Sequence, residues 1–413
     1  PGSGWTAFGA AWREWAPGLG RAVGLLAAAF EAPEGQRERL LDRALSAALG
    51  GTRDRVAAFA AAIRGPTTAL YAFGVVLPLA LVATLPAARA AGVPLPLSGV
   101  VAVYDLLLPA GLLAGGGWLL GRQPAAFPAV RVPRDHPDVP DRRLHAAALG
   151  IAAAALSWVG APAVVPAWTR WVVAPGWGVG VAGAVYLYPV VRVREQVAAV
   201  ERGLPDALAV AGQHLAREAA PGTAIAAAGE ELDGAAAERF AEAARVQRRL
   251  GLGVEASFRE GAFADLPSPR AQAAVSLLAL AGREGPHGGR VLVELADHLE
   301  ELLAVERDAR RALATTTGTL RNTACCFAPL IGGTTVALAG RIDGLGSAPA
   351  VPTAGLGIAV GVYVLLLAAA LAGLAAALET GVDSVRIGYR AARTVAIAAT
   401  AFPVAVRAAG LLV

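Results

Sequence analysis

Lysine is missing from this chain altogether. All 36 of its Lys-or-Arg positions are arginine. A Walker-type phosphate loop needs its lysine at the phosphates, and a Schiff-base enzyme needs one as nucleophile. Both classes are therefore excluded, and the chain is not expected to be an enzyme. If it takes part in ATP-driven work, the ATPase has to be another protein.

Cysteine is nearly as scarce. Its two copies, Cys325 and Cys326, are neighbours inside an apolar run. They supply neither a disulfide framework nor a metal-ligand set and read as small packing residues. The five histidines, His136, His145, His214, His287 and His298, lack zinc-ligand spacing to a cysteine or carboxylate. They are expected on solvated helix surfaces, and no metal or cofactor is expected.

Charge is the third deficit. Only 16% of the 413 residues are charged and 56% are hydrophobic, whereas a soluble domain is about one quarter charged. Several uncharged runs approach the roughly 20 residues that cross a bilayer, so a multi-spanning membrane protein is expected. The net charge of +4 then reflects arginine holding the cytoplasmic ends of spans, with the lipid bilayer rather than nucleic acid as the partner.

Against this apolar background a polar block stands out at 192–321. Seven spans are expected around it, at about 67–87, 97–120, 144–160, 171–191, 322–340, 352–378 and 394–413. They group as 67–191, with four spans, and 322–413, with three. Asp105 lies inside the second span, where a carboxylate is a functional candidate by default. Arg407 interrupts the seventh. A pair between them, a local partner such as Tyr104 for Asp105, and simple snorkelling of Arg407 are all open.

The loops 121–143 (Arg122, Arg131, Arg134, Arg142, Arg143) and 379–393 (Arg386, Arg390, Arg393) are arginine-rich. Those at 89–96, 161–170 and 341–352 carry one arginine each. The positive-inside rule puts the rich loops, residues 1–66 and the 192–321 block in the cytoplasm. Trp158, Trp168, Trp171 and Trp177 would then form an aromatic belt at the outer interface. In residues 1–66, Trp5, Phe8, Trp12 and Trp15 share a helical face. Two short helices, Leu40–Leu45 and Val56–Ile63, are expected on either side of a break at Gly50-Gly51. The chain begins at Pro1, not Met, with no signal-peptide pattern, which leaves open whether residues precede Pro1.

Within the polar block, Leu204-Pro205-Asp206 reads as a helix start, with Leu204, Leu208 and Leu215 on one face. Thr223 reads as the cap of a second helix. A third helix spans about 235–250 and is ended by Gly251. Ser268-Pro269 opens another. A loop at Gly285–Gly289, which could cradle a phosphate but reads first as a turn, precedes a last helix. That helix has a seam of Leu292, Leu295, Leu299, Leu302 and Val305 and runs on into the fifth span. Small residues, Gly115-Gly116-Gly117 and Gly332-Gly333, permit close helix approach and dimerisation.

The run Leu204–Leu208, the Pro221-Gly222-Thr223 turn, the Arg248–Phe258 stretch and the Gly285–Gly289 loop occur in an order that resembles the type II secretion system F family domain over about 200–340. The layout is similar to archaeal type IV pilus and archaellum platform proteins and to tight-adherence pilus membrane proteins. Thr52–Leu81 resembles Glu306–Ala337, which makes 1–66 a partial second copy of the domain.

The resemblance implies an all-α membrane protein with a cytoplasmic helical bundle, working as a homodimeric platform. It would couple a cytoplasmic assembly ATPase to extraction of pilin-like subunits and filament assembly. Arg245, Arg248, Arg249, Arg259, Glu300 and Glu301 would then be the charged surface that meets the ATPase. The competing reading is a secondary transporter built from repeated helical units.

Overall fold

Alanine and leucine dominate the runs between prolines and glycines, and both favour helix. The computed structural model describes residues 17–91, 96–121, 132–133, 136–343 and 353–412, and every regular element among them is helical. In order these are α1 (Pro17–Glu31), α2 (Glu34–Tyr71), α3 (Leu77–Ala90), α4 (Leu97–Val101), α5 (Leu108–Leu120), α6 (Arg143–Val164) and α7 (Arg170–Ala216). There follow α8 (Pro221–Glu230), α9 (Ala235–Leu250), α10 (Val254–Ser257), α11 (Pro269–Glu284), α12 (Pro286–Asn322), α13 (Ala328–Asp343), α14 (Thr353–Thr380) and α15 (Ser384–Leu412). Seven helices among the described residues are long and apolar enough to cross a membrane, and each of the seven expected spans falls on one of them, with 85–87 beyond the first and residues 352 and 413 outside the described residues. Trp5, Phe8, Trp12, Trp15, Arg122, Arg131 and Arg134 lie outside the described residues.

Three helical joins are π turns: Ala72–Val76 between α2 and α3, Ala102–Leu107 between α4 and α5, and Thr323–Phe327 between α12 and α13. Each ends two residues before a proline, at Pro78, Pro109 and Pro329. A proline has no N–H for the carbonyl four residues back, and its ring crowds that carbonyl. Widening the turn relieves the crowding and substitutes i→i+5 bonds. The N–H groups of Leu77, Leu108 and Ala328 accordingly reach the carbonyls of Ala72, Val103 and Thr323. Proline permits such a turn without dictating it, because Pro66, Pro162 and Pro403 lie in ordinary α-helix.

The chain forms two compact units. One takes in Ala58–Ala129, Asp141–Val191 and Arg310–Val413. Its core is the α14 helix, which is hydrophobic all round and buried over most of its surface, with Leu366 exposed. Tyr363 is fully enclosed, edge-on to Tyr104 at 5.3 Å between ring centroids. The small residues act here: a Cβ on Gly333 would lie 2.6 Å from Ala405 Cβ and 2.7 Å from the Phe402 carbonyl oxygen. Gly332 meets Val364 and Val360 in the same way, so this pair serves packing within the chain rather than a face left free for a second copy.

The α6 helix is the opposite of α14. It touches its neighbours through Gly150, packed on Gly178 and Ala182, while Leu144, Ile151, Leu156 and Val159 are exposed. Such an apolar surface belongs in lipid. Tyr71 and Thr323, beside two of the π turns, share a 2.9 Å hydrogen bond. Trp158 and Trp171 pack edge-on at 4.7 Å, with the Arg170 guanidinium over the Trp158 ring. The turn at 165–169 between them holds the aromatic cluster together.

The other unit takes in described residues of Pro1–Ala57, Val130–Pro140 and Arg192–Ala309. Its core is the buried stripe of α9 (Ala236, Phe240, Ala243, Ala244), met by Leu204, Leu208 and Leu215 of α7 and by Leu278 of α11. Phe258 stands between Phe240 and Phe263, at 5.0 Å from each ring. The α9 helix ends at Gly251, whose φ of 65° is the left-handed conformation expected of a glycine cap.

Ser268 caps α11 by accepting the Ala271 N–H, and its hydroxyl donates to Glu201 at 2.6 Å. Arg270 then bridges Glu201 and Glu306, tying α7, α11 and α12 together. Ser268→Ala removes both hydrogen bonds of a buried hydroxyl and should destabilise this unit by about 2 kcal/mol. Thermal unfolding of the purified chain measures this, and Ser268→Thr should restore most of the loss.

Several expected breaks are absent. Gly50 and Gly51 lie inside the unbroken α2. Gly51 is there because a Cβ would come within 2.6 Å of Gly18 Cα, where α1 and α2 touch. Leu204-Pro205-Asp206 does not start a helix but lies within α7. Thr223 does not cap α8, which begins at Pro221 with no capping side chain. The Gly285–Gly289 loop shrinks to Gly285 alone, at φ 64°. Gly288 and Gly289 belong to α12, where Cβ atoms would strike Ala281 and Ala216. Leu302 of the expected seam is exposed, whereas Leu292 and Val305 are buried.

Candidate functional site

Four short elements of the polar unit converge at their ends. The α8 N-terminus follows a turn at Ala220, the last turn of α9 brings Gln247 and Arg248, and the π turn Phe258–Ala262 presents Arg259 and Glu260. The α11 C-terminus adds Gly282 and Arg283. Between them lies a cleft of about 1310 Å³.

Three arginines, Arg248, Arg259 and Arg283, line it together with three glutamates, Glu230, Glu255 and Glu260. Arg259 is within 3.5 Å of Glu255, which also accepts from Ser276. Gln247 Oε1 is enclosed without a hydrogen-bond partner, beside Gly222, where a Cβ would lie 3.0 Å away. The uncapped start of α8 adds partial positive charge. Mixed signs spread over an open cleft suit a polar protein surface better than a free anion.

No family model matches this chain, and neither a curated protein nor a solved structure does.

Of the charged residues singled out by the sequence, Arg248 and Arg259 line this cleft. Arg245 and Arg249 are exposed on α9 outside the lining, and Glu300 and Glu301 are exposed on α12, also outside it. Sequence reasoning missed Arg283, Glu230 and Gln247, which reach the cleft from separate helices.

It also missed the polar cluster behind Phe258. Arg239 grips both oxygens of Asp265, at 2.7 and 3.0 Å, and donates to the Ala262 carbonyl. Burial works against the Arg239 charge. The hydrogen bond and charge of Asp265, aided by Glu242 and Asp138, outweigh burial and hold its pKa above the ordinary value.

His136 corrects the expectation of solvated histidines. It is buried, its Nε2 donates to the Asp265 carbonyl at 2.8 Å, and its Nδ1 accepts the Asp138 N–H. This pattern puts the ring proton on Nε2 and clamps segment 136–138 to the polar unit. His214 pairs with Glu231 at 2.8 Å.

In the apolar unit, Asp105 falls in the π turn before Pro109. Its Oδ1 is enclosed with no hydrogen-bond partner. Arg407 is exposed on α15, and no ion pair joins the two among the described residues. Arg341 instead caps the end of α15 by donating to the Gly410 carbonyl at 2.8 Å.

Proposed function

We propose that this chain is a polytopic membrane platform of a type IV pilus-like or type II secretion-like machine. It couples a cytoplasmic ATPase to extraction of pilin-like subunits and filament assembly. One observation carries the reading. Two long helices, Gly35–Thr84 and Pro286–Arg341, each begin in polar sequence, become apolar and open into a π turn two residues before a proline. Their matching halves meet, through Tyr71 and Thr323 in the apolar unit and through Arg53 and Asp308, 3.8 Å apart, in the other. A duplicated element of this kind is what the resemblance implies.

The lack of lysine assigns nucleotide hydrolysis to a separate motor. The arginine-rich loops support a cytoplasmic polar unit, whose mixed-charge cleft would be available to that motor. The platform acts as a homodimer in the cell membrane.

The test uses the full chain in lipid nanodiscs with a purified pilus-assembly ATPase. The wild type should bind the ATPase, and Arg248→Glu with Arg259→Glu should weaken binding by about tenfold, that is about 1.4 kcal/mol. Arg407→Glu should leave binding unchanged. An ATPase that ignores the wild-type chain would end the proposal.

The partnerless Asp105 oxygen favours a second reading, a secondary transporter, since intramembrane carboxylates mark ion pathways. Substrate-dependent flux into proteoliposomes would decide for it.

A further inference from the structure

The Leu97–Leu120 span is apolar and mostly unburied, and Asp105 is its one ionisable side chain besides Tyr104. Asp105 lies eight residues in from Leu97, about 12 Å along the helix. One of its oxygens is enclosed and lacks a partner, while the residue as a whole is only part-buried. Around it Val103, Leu106 and Leu107 are exposed.

The helix packed on this turn is α14, through Tyr363 against Tyr104. Neither α14 nor 97–120 contains a cation, and the other ionisable group of α14, Glu379, is engaged by Arg390. The chain thus holds a carboxylate at the edge of an apolar surface, and among the described residues no cation pairs with it. Leaving such a group unmatched in lipid is costly, and a donor brought from outside to its open oxygen would offset that cost.

We infer that the face around Asp105 docks a transmembrane helix of a partner protein that carries a cationic side chain at the same depth. The bond is a charge-assisted hydrogen bond to Asp105, and the flanking leucines give the apolar contact. This inference stands on the fold and does not depend on the platform reading.

The full chain in nanodiscs, titrated with labelled leucine–alanine transmembrane peptides, tests it by energy transfer. A peptide with one lysine at matching depth should associate about tenfold more tightly than the all-apolar peptide. Asp105→Leu should abolish that preference, and Asp105→Lys should transfer it to a peptide carrying aspartate. Equal binding of the lysine and apolar peptides to the wild type would overturn the inference, and it needs no variant to fold. Persistence of the preference in Asp105→Leu would overturn it too. So would a wild-type dimer that excludes both peptides and dissociates in Asp105→Leu, because the occupant would then be a second copy.

Discussion

Gly333→Val is expected to keep the protein from accumulating as a folded membrane species. The added carbons have no room: a Cβ alone would stand 2.6 Å from Ala405 Cβ, 2.7 Å from the Phe402 carbonyl oxygen and 2.9 Å from the Val406 nitrogen. Two of these three are backbone atoms of α15, which cannot turn aside as a flexible side chain can. The α13 and α15 helices must separate, and with them goes the packing of Phe402 and Val406 in the core. Overpacking generally costs about 1–3 kcal/mol, and a clash against rigid backbone belongs at or above the upper end. Gly117 provides the control, since nothing lies within 4 Å of its Cβ position. Gly117→Val should behave as wild type. Size-exclusion profiles and thermal half-lives of the two variants in one detergent measure the contrast.

Phe240→Ala should destabilise the polar unit by about 3–5 kcal/mol. Phe240 is fully enclosed at the centre of its cluster, edge-on to Phe258, which in turn holds Phe263. Its removal opens a void between α9 and the π turn that carries Arg259, so the cleft should loosen before the apolar unit is affected. Trypsin reads this directly, because the unit is rich in arginine. Cleavage within 235–260 should accelerate strongly in Phe240→Ala and hardly at all in Phe30→Ala, a residue that is 73% exposed.

Much of the architecture was legible. Long uncharged runs bounded by arginines locate the spans, because bilayer thickness dictates their length. The α9 helix was legible from its periodic apolar face and glycine end, and α11 from its Ser-Pro start. The errors at Gly51, Gly288 and Gly289 share one cause. Gly50-Gly51, Pro205 and Gly288-Gly289 carry the local chemistry of breaks, yet each lies within a helix. At Gly51, Gly288 and Gly289 the glycine is there so that two backbones can touch. That requirement is set by a distant partner and leaves no trace in neighbouring residues.

The cleft was half legible for a related reason. Arg248 stands out on an amphipathic helix and Arg259 in the stretch that follows it. Arg283 and Glu230 join them only through the way α8, α9 and α11 meet at their ends. His136 was misjudged because it occupies an irregular stretch with no periodicity to reveal which residues face inward.

The widened turns before Pro78, Pro109 and Pro329 each hold one residue more than a regular helix would at the same height. At such a place the chain can lose a residue and revert to ordinary winding, with the flanking faces still in phase. A deletion anywhere else in these spans rotates every later side chain by about 100° and turns lipid-facing leucines toward the core. The three positions are thus where span length is free to drift by single residues without altering which side of the helix meets the hydrocarbon.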